Sequence, residues 1–238
     1  MPAAATFTGL ACGLLLAAAG LALWDGLRHV PGLSHAVRGT GWLASGCLLI
    51  GTALAWPGDP VFSTPTLRLT LMAAVAAPEI RPRRRSWSGV MRILPALALA
   101  GATLLWPPAP TTTATSAPPF ALAGVAIAVC GGLSARAIGE TLSGIASPTP
   151  RTEGPARSDA KGPATAAYVL LTLLVGGTAL VNLGQRGTMW AGTAGEGGLA
   201  GAWLAWSAAC TGLRPHRRLR AALTTAAALS LVLLAVSG

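Results

Sequence analysis

An all-α, polytopic transmembrane helix bundle of about eight spans, or seven if the third does not cross, is what this sequence predicts. Three observations carry the prediction. Of 238 residues 53% are hydrophobic and only 10% charged, too few charges to cover the surface of a water-soluble domain of this length. Ala, Leu and Gly recur in eight apolar stretches, each long enough or nearly so to cross about 30 Å of hydrocarbon, separated by Pro, Gly or Arg clusters. The 17 Lys and Arg residues gather in alternate loops, as expected when cationic loops stay on the cytoplasmic side during insertion. Residues 1–238 are therefore read as a single integral membrane domain, with a flexible cytoplasmic linker over 147–163 rich in Pro and mixed charge.

Segment 1, residues 6–27, has no Lys or Arg before Arg28. A positively charged leader region is missing, so the segment is expected to remain as a membrane anchor. His29, His35 and Arg38 follow with Pro31 and Gly32; the histidines share no helical face and read as loop residues near lipid headgroups. Segment 2 covers residues 40–56. Segment 3, residues 64–80, carries Arg68 near its start and Glu79 at its end, both expected to reach back to the interface. Arg81, Arg83, Arg84 and Arg85 mark a cytoplasmic loop, read first as an orientation signal and second as a site for anionic headgroups.

Segment 4, residues 88–106, contains Pro95, where a kink is expected. The uncharged stretch 107–119, rich in Pro and Thr, should run extended on the outer face. Segment 5, residues 120–137, leads into Arg136 and Glu140. Segment 6, residues 164–183, returns to the outer face. Segments 7 and 8, residues 190–213 and 219–236, are joined by the basic turn RPHRRLR. The asymmetry of charge places the protein in a cell membrane with both termini outside. Trp24, Trp42, Trp56, Trp87, Trp106 and Trp190 fall at predicted segment ends, where an indole keeps its N–H in water and its ring among acyl chains.

A net charge of +10 raises nucleic acid as a partner, but its confinement to alternate loops points to the lipid bilayer instead. Cys12, Cys47, Cys130 and Cys210 lie in apolar segments without CxxC spacing and read as small packing residues. No carboxylate pair, phosphate loop, zinc spacing or Ser/His/Asp set is present, so catalysis is not expected.

The stretch from Gly187 to Arg220 holds the residues closest to chemistry. A glycine-rich corner carries Met189, Trp190 and Glu196 after Arg186, an apolar helix follows with Trp203 and Trp206, and arginines close it. This order resembles the haem-handling cytochrome c assembly proteins of the CcsA/CcmC/HemX type. Gly187-Thr188-Met189-Trp190-Ala191 is similar to the opening G-x-x-W-A of that family's outer motif. Glu196 stands where the motif's closing glutamate would, and Arg214 to Arg220 is similar to its basic turn. The resemblance implies haem as cofactor, with Trp190 as a flat wall and Glu196, Arg186 and Met189 near its polar groups or iron. The tryptophan-rich run is replaced by Gly192-Thr193-Ala194-Gly195, and His29, His35 and His216 all map to the inner side, so the state expected is haem-free. The alternative function is a haem-free accessory or scaffold subunit that meets other membrane proteins through small-residue faces such as Gly131-Gly132 and Gly197 to Gly201. A small transporter ranks last, because the segment middles are read as free of acids and bases.

Overall fold

A computed structural model of the chain describes residues 2–28, 32–55, 65–77, 86–105, 118–145, 161–211 and 217–237. Among the described residues there are eight helices and no strand: α1 (Pro2–Arg28), α2 (Leu33–Ala55), α3 (Pro65–Ala76), α4 (Ser86–Leu105), α5 (Pro118–Ile145), α6 (Lys161–Arg186), α7 (Ala194–Thr211) and α8 (Arg217–Ser237). Three contain stretches long and apolar enough to cross a membrane: Ala3–Arg28, Gly124–Ser143 and Thr165–Arg186. Shorter apolar helices cover Pro65–Ala76, Gly89–Leu105 and Ala221–Val236. Leucines such as Leu16, Leu43, Leu173 and Leu233 lie exposed on the outside, where an aqueous surface would carry charge.

Each helix packs on the next in sequence, and α5 is central, touching α3, α4, α6 and α8. One apolar core joins α1 to α5, built on Leu15, Leu48, Met72 and Ile93. A second joins α5 to α8 around Leu171, Trp206 and Leu231. The helix ends sort into two groups. At one end, Gly89 of α4 lies against Ala22 of α1, and Gly139 of α5 against the backbone of Arg92. At the other, Gly51 of α2 faces Ala4, Phe7 and Thr8 of α1, and Gly198 of α7 faces Leu234 of α8.

The glycines that permit these approaches are few. A Cβ on Gly132 would fall 2.6 Å from the Met72 carbonyl oxygen and 2.6 Å from Val75 Cβ, and one on Gly131 would strike the Met72 thioether. Gly131-Gly132 is therefore the seat of α3 inside the chain, which corrects its reading as a face for a partner. Gly198 is likewise occupied by Leu234, whereas Gly197 and Gly201 open onto empty space. Hydroxyls in the apolar helices bond back to carbonyls three or four residues earlier, as at Thr8, Thr52, Thr178 and Ser230. Such bonds pair these hydroxyls inside their own helices, as an apolar surrounding requires.

The third segment departs most from expectation. With 12 residues, α3 is about 18 Å long, too short to cross a hydrocarbon core of about 30 Å unaided. It is buried along almost its whole length. Ser45, midway along α2, donates to the Ala74 carbonyl at 2.8 Å, so α3 ends at half the depth of its neighbours. Arg68 does not reach out to an interface. It is 8% exposed, and its guanidinium donates to the Ala235 carbonyl at 3.3 Å, near the carboxy-terminal end of α8, where the helix dipole favours a cation.

Other boundaries shift for local reasons. Gly32, at φ +93°, turns the chain directly into α2, and His35 and Ala36 donate to its carbonyl; His35 and Arg38 are thus helical, and Trp42 lies inside α2 instead of at its end. Helix α5 continues to Ile145, so Arg136 and Glu140 stand within an apolar span, 3.9 Å apart and mostly buried. Both lie in the carboxy-terminal half of α5, toward the end of that span. Pro95 lies inside α4 as expected. Helix α6 begins at Lys161, inside the stretch predicted as linker. The Arg81 to Arg85 loop, His29, His216, Trp56, Trp106, the 107–117 stretch and linker residues 147–160 lie outside the described residues.

Candidate functional site

The corner between α6 and α7 is built by turn chemistry at both ends. Helix α6 stops because Gly187, at φ +71°, takes the left-handed conformation that glycine adopts without Cβ strain. Its N–H donates to the Leu183 carbonyl at 3.0 Å. Residues 187–193 then cross to α7, with a second left-handed glycine at Gly192, φ +74°.

Helix α7 starts with a reciprocal cap. The Glu196 N–H donates to Thr193 Oγ1 at 3.3 Å, and the Thr193 N–H donates to Glu196 Oε2 at 3.3 Å. This is the Thr-x-x-Glu capping box, which satisfies two helix-end donors at once. The same Oε2 accepts from the Ala191 N–H at 2.9 Å, and Oε1 accepts from Asn182 Nδ2 of α6. An ionised carboxylate is acceptor-only and suits a place surrounded by N–H groups at a helix N-terminus. Glu196 thus ties the loop, α6 and α7 together, and it is buried.

Of the four residues predicted for a site, the structure gathers Glu196, Trp190 and Met189 and leaves Arg186 aside. Arg186 is exposed at the end of α6, and the partners of Glu196 are Asn182 and backbone amides. Asn182 was missed because an amide inside an apolar helix carries no motif. The capping box was legible, since Thr193-Ala194-Gly195-Glu196 has its spacing. Met189 and Trp190 are 63% and 49% exposed. With Val175, Thr178 and Ala179 of α6 and Glu196, Leu199 and Ala200 of α7, they line a largely apolar groove of about 110 Å³. That is below the roughly 300 Å³ at which small-molecule pockets begin.

Farther down, α7 is fixed by its two remaining tryptophans. Trp206, 1% exposed, donates through Nε1 to Ser134 Oγ of α5 at 3.0 Å. Trp203 donates to Thr172 Oγ1 of α6, also at 3.0 Å. Trp206 buries its ring and Trp203 packs part of its own against the second core, and each satisfies its N–H on a neighbouring helix, so both are packing residues. No group of three or more His, Cys, Asp or Glu that could hold a metal occurs among the described residues.

Fold and corner together define a class, an all-helical bundle in which three of the described helices are long and apolar enough to cross a membrane, with an internally braced, aromatic-tipped loop. No protein-family model matches the sequence, and no curated protein or solved structure matches it.

Proposed function

We propose that this chain is a haem-free accessory or scaffold subunit of a membrane complex, meeting another membrane protein along α6 and the Met189–Trp190 corner. The observation that supports this is the use of Glu196. The acid of the corner is engaged inside the chain, where it shapes the loop, while the apolar tips Met189 and Trp190 point away from the core. Beside them α6 is the least buried of the three long apolar helices. It presents Leu173, Leu180 and Val181, together with Gly176, Gly177 and Gly184, at which an added Cβ would meet nothing. Small residues on an open helix face let a second helix approach closely.

Photo-crosslinkers at Leu173, Leu180 and Met189 in native membranes should yield adducts with one and the same protein, whereas Leu171, buried in the core, should yield none. Adducts with lipid alone at all three exposed positions would overturn the proposal.

A second reading, transport, gains support from α3. A short helix that ends at half depth, with Arg68 buried along it, has the character of the interrupted helices that line transporter sites. It calls for a solute flux that Arg68→Gln abolishes in reconstituted vesicles.

A further inference from the structure

Among the described residues, every hydrogen bond to the Glu196 carboxylate comes from an N–H group. The Asn182 side-chain amide of α6 meets one oxygen, and the Ala191 and Thr193 amides of the loop meet the other. The loop closed in this way, residues 187–193, turns at the left-handed Gly187 and Gly192 and carries Met189 and Trp190 exposed. From Lys161 to Thr211, a stretch that takes in α6, the loop and α7, Glu196 is the only acid. The other ionisable groups there stand apart from it in the fold: Lys161 and Tyr168 near the start of α6, Arg186 exposed at its end, and Cys210 at the far end of α7. Helix α8, which packs on α7 where Gly198 faces Leu234, has no ionisable side chain from Ala221 to Ser237. Helix α5 reaches α6 with Cys130 midway along it and Arg136 and Glu140 toward its far end. Glu196 is thus the group at the corner that changes charge between about pH 3 and about pH 7.

We propose that Glu196 is a proton-sensitive latch: ionised, it pins the 187–193 loop in the form that presents Met189 and Trp190, and on taking up a proton it loosens that loop while the helices stay in place. An N–H bond to an ionised carboxylate is roughly twice as strong as one to a neutral acceptor. A protonated carboxyl also brings an O–H donor into a ring of donors, where only the Asn182 amide, turned over, can accept from it. The Ala191 and Thr193 amides are then left with a neutral oxygen, and the first turn of α7 loses the negative charge that its dipole favours. The hold is therefore full at neutral pH, where the carboxylate is ionised, and it weakens as the pH falls. Because the bonds span the loop and its two flanking helix ends only, the loss is confined to the corner; the cores around Leu171 and Leu231 do not depend on it. The consequence for docking rests on the reading of the corner as a partner surface: the partner is held at neutral pH and released by acid.

The test is amide hydrogen exchange on the full-length protein in mild detergent, stepped from about pH 7 to about pH 3, with protection taken relative to an unstructured chain at the same pH. The peptide covering 187–193 should lose about tenfold in protection on acidification, while peptides of α6 around Leu171 and of α8 around Leu231 keep theirs. Glu196→Gln, which keeps one acceptor oxygen and turns the other into a donor, should show the lowered protection already at neutral pH and no further fall. Loop protection indifferent to pH, a loss shared equally by α6 and α8, or a Glu196→Gln protein that follows the parent's pH profile would each overturn the proposal. The parent's profile decides the matter even if the variant does not fold. A photo-crosslinker at Met189 in native membranes separates the latch from the docking reading. Adducts to a partner protein should decline with pH in the parent, and an adduct yield unaffected by both pH and Glu196→Gln would overturn the latch's control of docking. Lipid adducts alone at every pH, with the exchange profile as expected, would sink the partner surface and leave the latch standing.

Discussion

Replacing Gly132 by alanine probes the contact on which the bundle centre depends. The added Cβ would sit 2.6 Å from both the Met72 carbonyl oxygen and Val75 Cβ, where ordinary heavy-atom contacts need about 3.5–4.0 Å. Neither neighbour can rotate aside, because one is backbone and the other is attached directly to it. Helices α3 and α5 must therefore part by roughly 1 Å, loosening the seat of a helix buried on all sides. Forcing an extra carbon into a filled core costs about 1–3 kcal/mol, offset by up to about 1 kcal/mol of helix propensity gained on replacing glycine. The propensity gain is isolated by Gly177→Ala, since a Cβ there meets nothing. Thermal unfolding in mild detergent, followed by circular dichroism, should place Gly132→Ala below Gly177→Ala by about 2–4 °C per kcal/mol, for a chain of this size. Equal midpoints for the two variants, or a Gly132→Ala protein more stable than the parent, would refute the packing described for α3.

Trp206→Phe removes the indole N–H that meets Ser134 and should cost about 1 kcal/mol, while Trp206→Ala should cost about 3–5 kcal/mol; chemical unfolding in detergent measures both. Glu196→Ala removes the acceptor shared by the Ala191, Thr193 and Asn182 N–H groups, so limited proteolysis should cut within 187–193 faster than in the parent, and Asn182→Ala should act in the same direction. Reporter fusions after Asp59, Thr113 and the carboxy terminus should report the outer compartment, and those after Arg85, Arg157 and His216 the cytoplasm; matching sides for Asp59 and Arg85 would mean that the chain does not cross at α3. Protein purified from haem-replete cells should show no stoichiometric Soret absorbance, and a one-to-one signal lost in Met189→Ala would restore the corner as a haem site.

Much of the architecture is local information, legible in the order of the amino acids alone. Hydropathy and charge act residue by residue, so eight apolar segments, a proline inside the fourth and arginines at alternate junctions could be marked without coordinates. Caps are local too: Gly187 ends α6 and Thr193 with Glu196 begins α7 through bonds spanning only a few residues. What a helix in such a chain touches is not local. A helix apolar all round has no polar face to say which side turns inward, so only the tertiary structure decided that α3 is central and stops at half depth, or that Arg68 finds the Ala235 carbonyl 167 residues away. The same holds for residues of one type. Gly132 and Gly177 look alike in sequence, yet one is filled by α3 and the other is open; Trp206 and Trp190 sit near one another in the chain, yet one is sealed in the core and the other stands at the surface. The difference lies in which helix arrives beside them, and that is fixed by packing across the bundle, where side-chain volume, and not hydropathy, selects the partner.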